Sequence, residues 1–360
     1  MGLFSSFLKN KDKKDSHKGF VSVTVKEIRK ETADSVSISF DIPTEHLKDF
    51  HFVAGQYINV IVPVGKDGLR RSYSICSAPV EILTIGVKDV KKDGASSYLN
   101  NQLKVGDSID ISYPQGNFKL SKKDGDFVAF AAGSGITPIL SISKELHKNN
   151  GKLRLFYGNR NSSSIMFKSN LEQMASHIQT NHLLDVEEAG YQVGPLTKET
   201  ITSIIKNDLS LLKAEGYYIC GPEPMIMAAV ETLKLFGVSE DRIVYELFTT
   251  PVLMKQAEHT DETTAFKGVA HIEATLDGEV IPFDLSSKSM SILDKLTELG
   301  EDVPYSCKGG VCCTCKAKVT EGKVIMDMNY SLTDKEVAEG FILTCQSHPA
   351  SENVKLTYDE

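Results

Sequence analysis

The sequence predicts a multidomain chain in which an antiparallel β-barrel is followed by an α/β unit with a parallel sheet and then by a small α+β unit. Three observations carry this expectation. A chain of 360 residues is too long for a single hydrophobic core. Its patterning changes twice along the way, from closely spaced alternating strands to apolar strands separated by helices. The last change leads into a segment that holds four of the seven cysteines within ten positions.

The barrel is read from Gly19 to about Leu120. The runs "FVSVTVKEI", "SVSISFDI", "QYINVIVPV", "RRSYSI", "ILTIGVKDV" and "DSIDISY" are short, rich in β-branched residues and separated by turn residues. From about Asp126 the strands become continuous apolar runs, "DFVAFAA", "LRLFYG", "HLLDVEE", "GYYIC" and "RIVYELF". Between them lie the helical stretches "ILSISKELHKN", "IMFKSNLEQMASHI", "KETITSIIKNDLSLL" and "MIMAAVETLKLFG", as expected of a parallel sheet covered on both faces. The polar stretch "TTPVLMKQAEHTDETTAFKG" reads as a linker, and the third unit begins near Val269. It is expected to hold two short strands, the helix "MSILDKLTELG", the cysteine loop and the late strands "KAKVTEGKV" and "NVKLTYD".

Charge and cysteine usage narrow the function classes. Nine lysines face sixteen acidic residues from Lys267 to Glu360, so the third unit carries seven of the chain's eight net negative charges. Nucleic-acid binding is not expected of such a surface; it suits a partner with a basic docking face, although charge alone favours the plainer reading of a solubilising surface. No run of about 18 apolar residues is present, so no transmembrane segment is expected. The start, "MGLFSSFLKNKDKK", matches a myristoylation pattern at Gly2 and Ser6 and reads either as a flexible tail or as a weak peripheral contact. An odd, clustered set of cysteines fits a reducing, cytoplasmic setting with metal chemistry better than a disulfide framework.

Cys307, Cys312 and Cys315 form C-x4-C-x2-C, with Cys345 downstream. This is the plant-type spacing for a [2Fe-2S] cluster, in which four thiolates hold two irons. Gly309 and Gly310 let backbone amides approach the cluster. A structural zinc site in an interaction module, built from Cys312, Cys315, Cys345 and His348, is the alternative. Cys313 has no place in the four-thiolate pattern and is read as a small space-filling residue.

In "RRSYSICSAP", Arg71 can pair with a phosphate, Tyr73 can stack on an isoalloxazine, and a serine hydroxyl at Ser72 or Ser74 can reach a flavin nitrogen. An ordinary strand remains the alternative. "DGASSYL" places Ser96 and Ser97 at a helix start suited to a pyrophosphate. "AAGSGITPIL" follows the first parallel strand: Gly133 and Gly135 permit a tight turn, Thr137 follows it and Pro138 suits the first helical turn. Arg160, with the serines from Ser162 to Ser164, can hold a nucleotide phosphate. Cys220, Gly221 and Pro222 converge on the same sheet edge.

In this order the motifs resemble the ferredoxin-NADP reductase superfamily joined to a C-terminal plant-type ferredoxin. "AAGSGITPIL", "FYGNR", "CKGGVCCTC" and "NYSLTDKEVAEGFILTCQ" are similar, more narrowly, to the reductase components of phenylacetyl-CoA epoxidases, which act in phenylacetate catabolism. The resemblance implies a flexible tail over 1–18 and an FAD-binding barrel over 19–122. It further implies an NAD(P)-binding α/β domain over 123–248, a linker over 249–266 and a β-grasp ferredoxin domain over 267–360. It implies hydride transfer from NADPH, or NADH, to FAD and then single electrons through the cluster to an oxygenase or hydroxylase component. Ser74 would lie near flavin N5, Cys220 near the nicotinamide, and Glu246 near the reacting rings, unless Glu246 is a surface carboxylate. Either Ser96 or Ser97 would make the pyrophosphate contact. The linker would let the ferredoxin unit swing between flavin and acceptor. A Rieske steroid hydroxylase or a fatty-acid desaturase is the alternative acceptor.

Overall fold

The computed structural model describes residues 19–65, 68–90, 92–248 and 266–359. The N-terminal tail with Gly2 and Ser6, and nearly all of the expected linker, lie outside the described residues. Among the described residues no helix is long and apolar enough to cross a membrane.

The first unit contains β1 (Phe20–Thr32), β2 (Ser35–Asp41), β3 (Tyr57–Val62), β4 (Leu69–Ser74), β5 (Thr84–Lys88), α1 (Ala95–Asn101) and β6 (Ser108–Ser112). The strands form one antiparallel sheet in the order β4-β3-β6-β1-β2-β5. An antiparallel bridge between Ile75 and Ile85 brings its two ends together into a barrel. Alternation selects the inside: Val21, Val23 and Val25 of β1 are buried, as are Ile38 and Phe40 of β2, while the residues between the β1 valines face outward.

The second unit holds β7 (Asp126–Ala132), α2 (Ile136–Lys148), β8 (Lys152–Asn159), α3 (Lys168–Gln173), β9 (Ile178–Leu184), β10 (Gln192–Val193), α4 (Lys198–Asn207), β11 (Gly216–Cys220), α5 (Glu223–Leu235) and β12 (Ile243–Glu246). All six strands are parallel, in the order β10-β9-β8-β7-β11-β12. Phe127 through Ala131 are buried without alternation, because helices cover both faces. The chain order reverses at β7, between β8 and β11, so the carboxyl ends of these strands open a crevice.

Two expectations here are corrected. "IMFKSNLEQMASHI" forms only the short α3, because Phe167 is in the left-handed region (φ 57°) and Ile178 already pairs with Leu153 in the sheet. Burial of Ile178 in the core outweighs helix propensity. For the same reason β9 begins four residues before "HLLDVEE" and ends at Leu184. "KETITSIIKNDLSLL" breaks at Asp208, whose carboxylate accepts from Ser210 N and starts a separate 3-10 turn.

The third unit comprises β13 (Val269–Leu276), β14 (Glu279–Ser286), α6 (Ile292–Glu298), β15 (Lys316–Glu321), β16 (Val324–Met326), α7 (Asp334–Ala338), β17 (Phe341–Leu343), β18 (Ser347–Pro349) and β19 (Asn353–Thr357). A mixed sheet, β14-β13-β19-β15-β17, wraps α6 in a β-grasp, with Ile292, Leu293 and Leu296 of the helix fully buried. "KAKVTEGKV" is two strands rather than one, turning at Gly322. Sequence reasoning missed β17, β18 and α7, although Thr333 and Glu336 form a capping box at the start of that helix.

Candidate functional site

The cysteine loop runs between α6 and β15 and is closed from behind by the segment around Cys345. Gln346 Nε2 donates to Lys308 O at 3.0 Å, and Thr344 Oγ donates to Cys315 O at 3.0 Å. The loop winds tightly, with Lys308 and Cys313 in the left-handed region beside Gly310 (φ 73°). Left-handed geometry at non-glycine residues collects at functional sites. A Cβ on Gly310 would lie 3.0 Å from Met328 O, so a side chain there would crowd the backbone as well as adopt a left-handed conformation.

Four thiols converge inside this loop. Cys307 is in hydrogen-bonding contact with Cys312 and with Cys345, and Cys345 with Cys315. Backbone amides are turned toward the sulfurs: Gly309 N donates to Cys307 Sγ at 3.3 Å, Val311 adds a backbone bond to Cys307 and Gly310 one to Cys345. This is the donor set a [2Fe-2S] cluster needs, four sulfurs around a group larger than one ion with amides to spread its negative charge. His348, the fourth ligand of the zinc alternative, has its Nε2 3.1 Å from Asp327 Oδ2, and among the described residues no hydrogen bond joins its ring to a cysteine. Cys313 points the other way, donating to Ser331 O at 3.2 Å; burial pushes its thiol up to about 11.

The barrel and the parallel sheet enclose a cavity of about 390 Å³. Arg71, Ser72, Tyr73 and Ser74 of β4 line one side, Ser96 at the start of α1 another, and Ser134 and Thr137 of the glycine turn a third. Of the two serines at the helix start, Ser96 faces the cavity, and its Oγ accepts from Val90 N at 3.3 Å. Ser97 is not in the cavity wall; its Oγ lies 3.4 Å from Asn101 Nδ2.

A second cavity of about 740 Å³ opens over the carboxyl ends of the parallel strands. Gly133, Arg160, Gly221 and Pro222 line it, as the sequence suggests. Gly135 is forced to be glycine: a Cβ there would lie 2.0 Å from Cys220 O. Pro138 is buried in the first turn of α2. Arg160 is 72% exposed and has Asp34 Oδ2 at 3.7 Å. Ser162 to Ser164 are not in the cavity wall: Ser164 N and Ser163 Oγ both donate to Asn161 Oδ1, while Ser162 N donates to Glu188 Oε1. Cys220 is buried in the core rather than exposed in either cavity.

A third cavity, about 520 Å³, joins all three units. Ser72, Ser74 and Tyr57 come from the barrel, Glu246 and Phe248 from the end of the parallel sheet, and Ser306, Cys307 and Cys312 from the cysteine loop. Ser74 Oγ donates to Glu246 Oε2 at 3.3 Å. Burial drives the Glu246 carboxyl up to about 8, with the Ser74 hydrogen bond opposing and Cys312 adding to the rise. Glu246 is therefore no surface carboxylate.

The third unit is seated on β3 and β4. Arg70 pairs with Asp302 and donates to Val303 O, its guanidinium 5.1 Å from the Tyr305 ring. Ser72 Oγ and Ser306 Oγ are 2.9 Å apart, and Asn117 Nδ2 reaches Ser331 O and Glu336 Oε2, both at 3.2 Å. Sequence reasoning missed these contacts, since an interface leaves no local periodicity. It also missed Phe248, which lines all three cavities; its only signal is an aromatic residue at the last strand's end, ahead of the linker.

Comparison with known proteins matches residues 22–120 to the oxidoreductase FAD-binding domain, 130–231 to the oxidoreductase NAD-binding domain, and 274–350 to the 2Fe-2S iron-sulfur cluster binding domain. The chain is 33% identical to a subunit of the 1,2-phenylacetyl-CoA epoxidase of Escherichia coli, over 94% of its own length and 98% of that protein. It is 32% identical to the ferredoxin reductase component of 3-ketosteroid-9-alpha-monooxygenase from Rhodococcus rhodochrous, covering 94% of this chain and 97% of that one. Phthalate dioxygenase reductase shares the fold, with a TM-score of 0.58 and 23% identity over 94% of this chain and 98% of that structure.

Proposed function

This chain belongs to the family of oxygenase reductase components built from FAD-, NAD- and 2Fe-2S-binding domains, and we propose that its acceptor is an oxygenase like phenylacetyl-CoA epoxidase. The enzyme is an oxidoreductase that carries electrons from a nicotinamide nucleotide towards an oxygenase. The acceptor reading is supported by similarity to the Escherichia coli epoxidase subunit along nearly the whole of both chains. NADPH is the proposed donor, supported by the exposed Arg160 guanidinium at the rim of the large cavity. A reducing cytoplasm suits a loop of free thiols.

The same reading divides the chain into an FAD barrel over 19–122, a nucleotide domain over 123–248 and a ferredoxin domain over 267–360, after a tail over 1–18 and around a linker over 249–266. The three family matches fall inside these limits.

A nicotinamide gives up electrons as a hydride pair, and FAD with a [2Fe-2S] cluster, when bound, converts that pair into single electrons. The protein's work is placement. Arg71 and Ser96 would hold phosphate oxygens, and Tyr73 would flank the flavin ring. The Gly133–Gly135 turn, Gly221 and Pro222 would seat the dinucleotide. Ser74 would offer its hydroxyl beside the reacting nitrogen, with Glu246 holding a proton behind it. Cys220, behind the glycine turn, would shape the nicotinamide end through its backbone. Cys307, Cys312, Cys315 and Cys345 would hold the cluster.

The observation that carries the reading is the cavity shared by Ser74, Glu246, Cys307 and Cys312, which brings flavin strand and cluster loop to one place. Anaerobic addition of NADPH to the purified protein should bleach flavin and cluster absorbance together, with two irons per chain. Electron delivery should then be faster to a phenylacetyl-CoA epoxidase oxygenase than to a 3-ketosteroid monooxygenase; the reverse order would reassign the acceptor.

A further inference from the structure

Thr314 stands between Cys312 and Cys315, and its Oγ meets four groups. It lies 3.2 Å from Cys312 Sγ, 3.4 Å from Cys312 O, 3.2 Å from Asn59 Nδ2 and 3.3 Å from Tyr57 Oη. The last two belong to β3, so these contacts exist only while the cysteine loop is seated on the barrel.

The barrel side is rigid. Asn59 is fully buried, its backbone N donates to Ser112 Oγ at 2.9 Å, and its Oδ1 accepts from Ser72 Oγ at 2.8 Å. With Oδ1 engaged, Nδ2 is the group left facing Thr314, and it can only donate. Tyr57 is a phenol that keeps its proton at neutral pH and can serve as a second donor. A hydroxyl has two lone pairs and one proton. Two barrel donors on the lone pairs leave the Thr314 proton for two acceptors of Cys312, the carbonyl oxygen at 3.4 Å and the nearer sulfur at 3.2 Å, and a charged sulfur is the stronger of the two. Cys312 as a cluster ligand would be a thiolate, which accepts.

Resting on the reductase reading above, we propose that Thr314 is a positioning residue that couples docking of the ferredoxin unit to the redox poise of its cluster. Asn59 and Tyr57 aim the Thr314 hydroxyl at Cys312 sulfur in the seated loop. Hydrogen bonds to ligand sulfur favour the reduced, more negative cluster and raise its potential. Docking therefore makes the cluster a better acceptor at the flavin, and release makes it a better donor elsewhere. Each passage takes one electron from the reduced flavin and adds one to the cluster, with no other reactant.

The test is the cluster midpoint potential of the full-length holoprotein, from reductive titration followed by electron paramagnetic resonance. T314V should shift the flavin-to-cluster electron equilibrium about tenfold toward the flavin, which is about 59 mV for a one-electron couple. T314S keeps the hydroxyl and should keep the potential. N59A and Y57F, although outside the ferredoxin unit, should shift it in the same direction as T314V and add nothing in the T314V background. Unshifted potentials in both barrel variants, or full additivity, would overturn the proposal. If T314V assembles no cluster, the barrel variants decide alone. A preparation without flavin or cluster absorbance would instead sink the reductase reading, and is distinguishable from a loaded protein with an unmoved potential.

Discussion

Ser74 and Glu246 meet across a domain boundary, the barrel hydroxyl donating to a carboxyl oxygen held at the end of the parallel sheet, 3.3 Å away. Neither unit builds this pair by itself. The contact ties the relative placement of barrel and nucleotide sheet to a proton that burial keeps on Glu246 up to about pH 8.

The first prediction concerns that proton. The folded carboxyl titrates above its unfolded value, so its stabilising protonated form is fully present below about 4.5 and is lost as pH rises through about 8. The stability of the wild type relative to Glu246→Gln, measured by denaturant melts, should therefore fall between those limits. Flavin reduction by NADPH should show a matching limb near pH 8 that Glu246→Gln abolishes. An unaltered pH profile in the variant would contradict the assignment.

Cysteine replacements should divide sharply. Cys312→Ser or Cys345→Ser should abolish the cluster's visible absorbance and leave that of the flavin. Cys313→Ser should retain both, since its thiol faces Ser331 and not the other sulfurs. Loss of the cluster in Cys313→Ser would reassign the ligands.

Arg160→Ala removes a charge from the rim of the large cavity while touching nothing in the core. A charge-assisted contact is worth about 1.5–3 kcal/mol, so KM for NADPH should rise at least tenfold with kcat little changed. The NADH reaction should barely move. Equal losses with both nucleotides would remove Arg160 as the basis of a preference.

Gly135→Ala should damage the nucleotide domain. Its Cβ would fall 2.0 Å from Cys220 O, a backbone atom with no rotamer to escape into. Overpacking of this kind costs about 1–3 kcal/mol, which thermal denaturation should register as several degrees in Tm. A wild-type Tm would show that the turn can move.

Arg70→Ala should act on docking. It deletes the pairing with Asp302 and the bond to Val303 O, both on the third unit. Stopped-flow reduction of the flavin should be unaffected, and the following reduction of the cluster should slow severalfold. If both phases keep their rates, Arg70 plays no part in holding the cluster beside the flavin.

The barrel strands were legible because one face of each is buried, which writes a period of two into residues such as Val21, Val23 and Val25. The cluster loop was legible because thiolate chemistry constrains spacing directly. The end of α3 and the start of β9 were not, since burial of Ile178 beside Leu153 is a tertiary event with no local trace. Ser162 to Ser164 read as phosphate donors, yet Asn161 and Glu188 engage two backbone amides and the Ser163 hydroxyl. Asn59 carries no motif at all. Its importance comes from facing Thr314, which lies 255 positions away along the chain.

Phe248 forms part of the wall of all three cavities and is 42% exposed. Attempts to retune this enzyme therefore meet a shared constraint. A smaller residue there, chosen to admit an altered nucleotide, would also widen the cavities beside Tyr73 and beside Cys307 and Cys312, the sites proposed for flavin and cluster, and open them to dissolved oxygen. Donor choice and coupling efficiency are thus linked traits at this position, and selection for one should be expected to move the other.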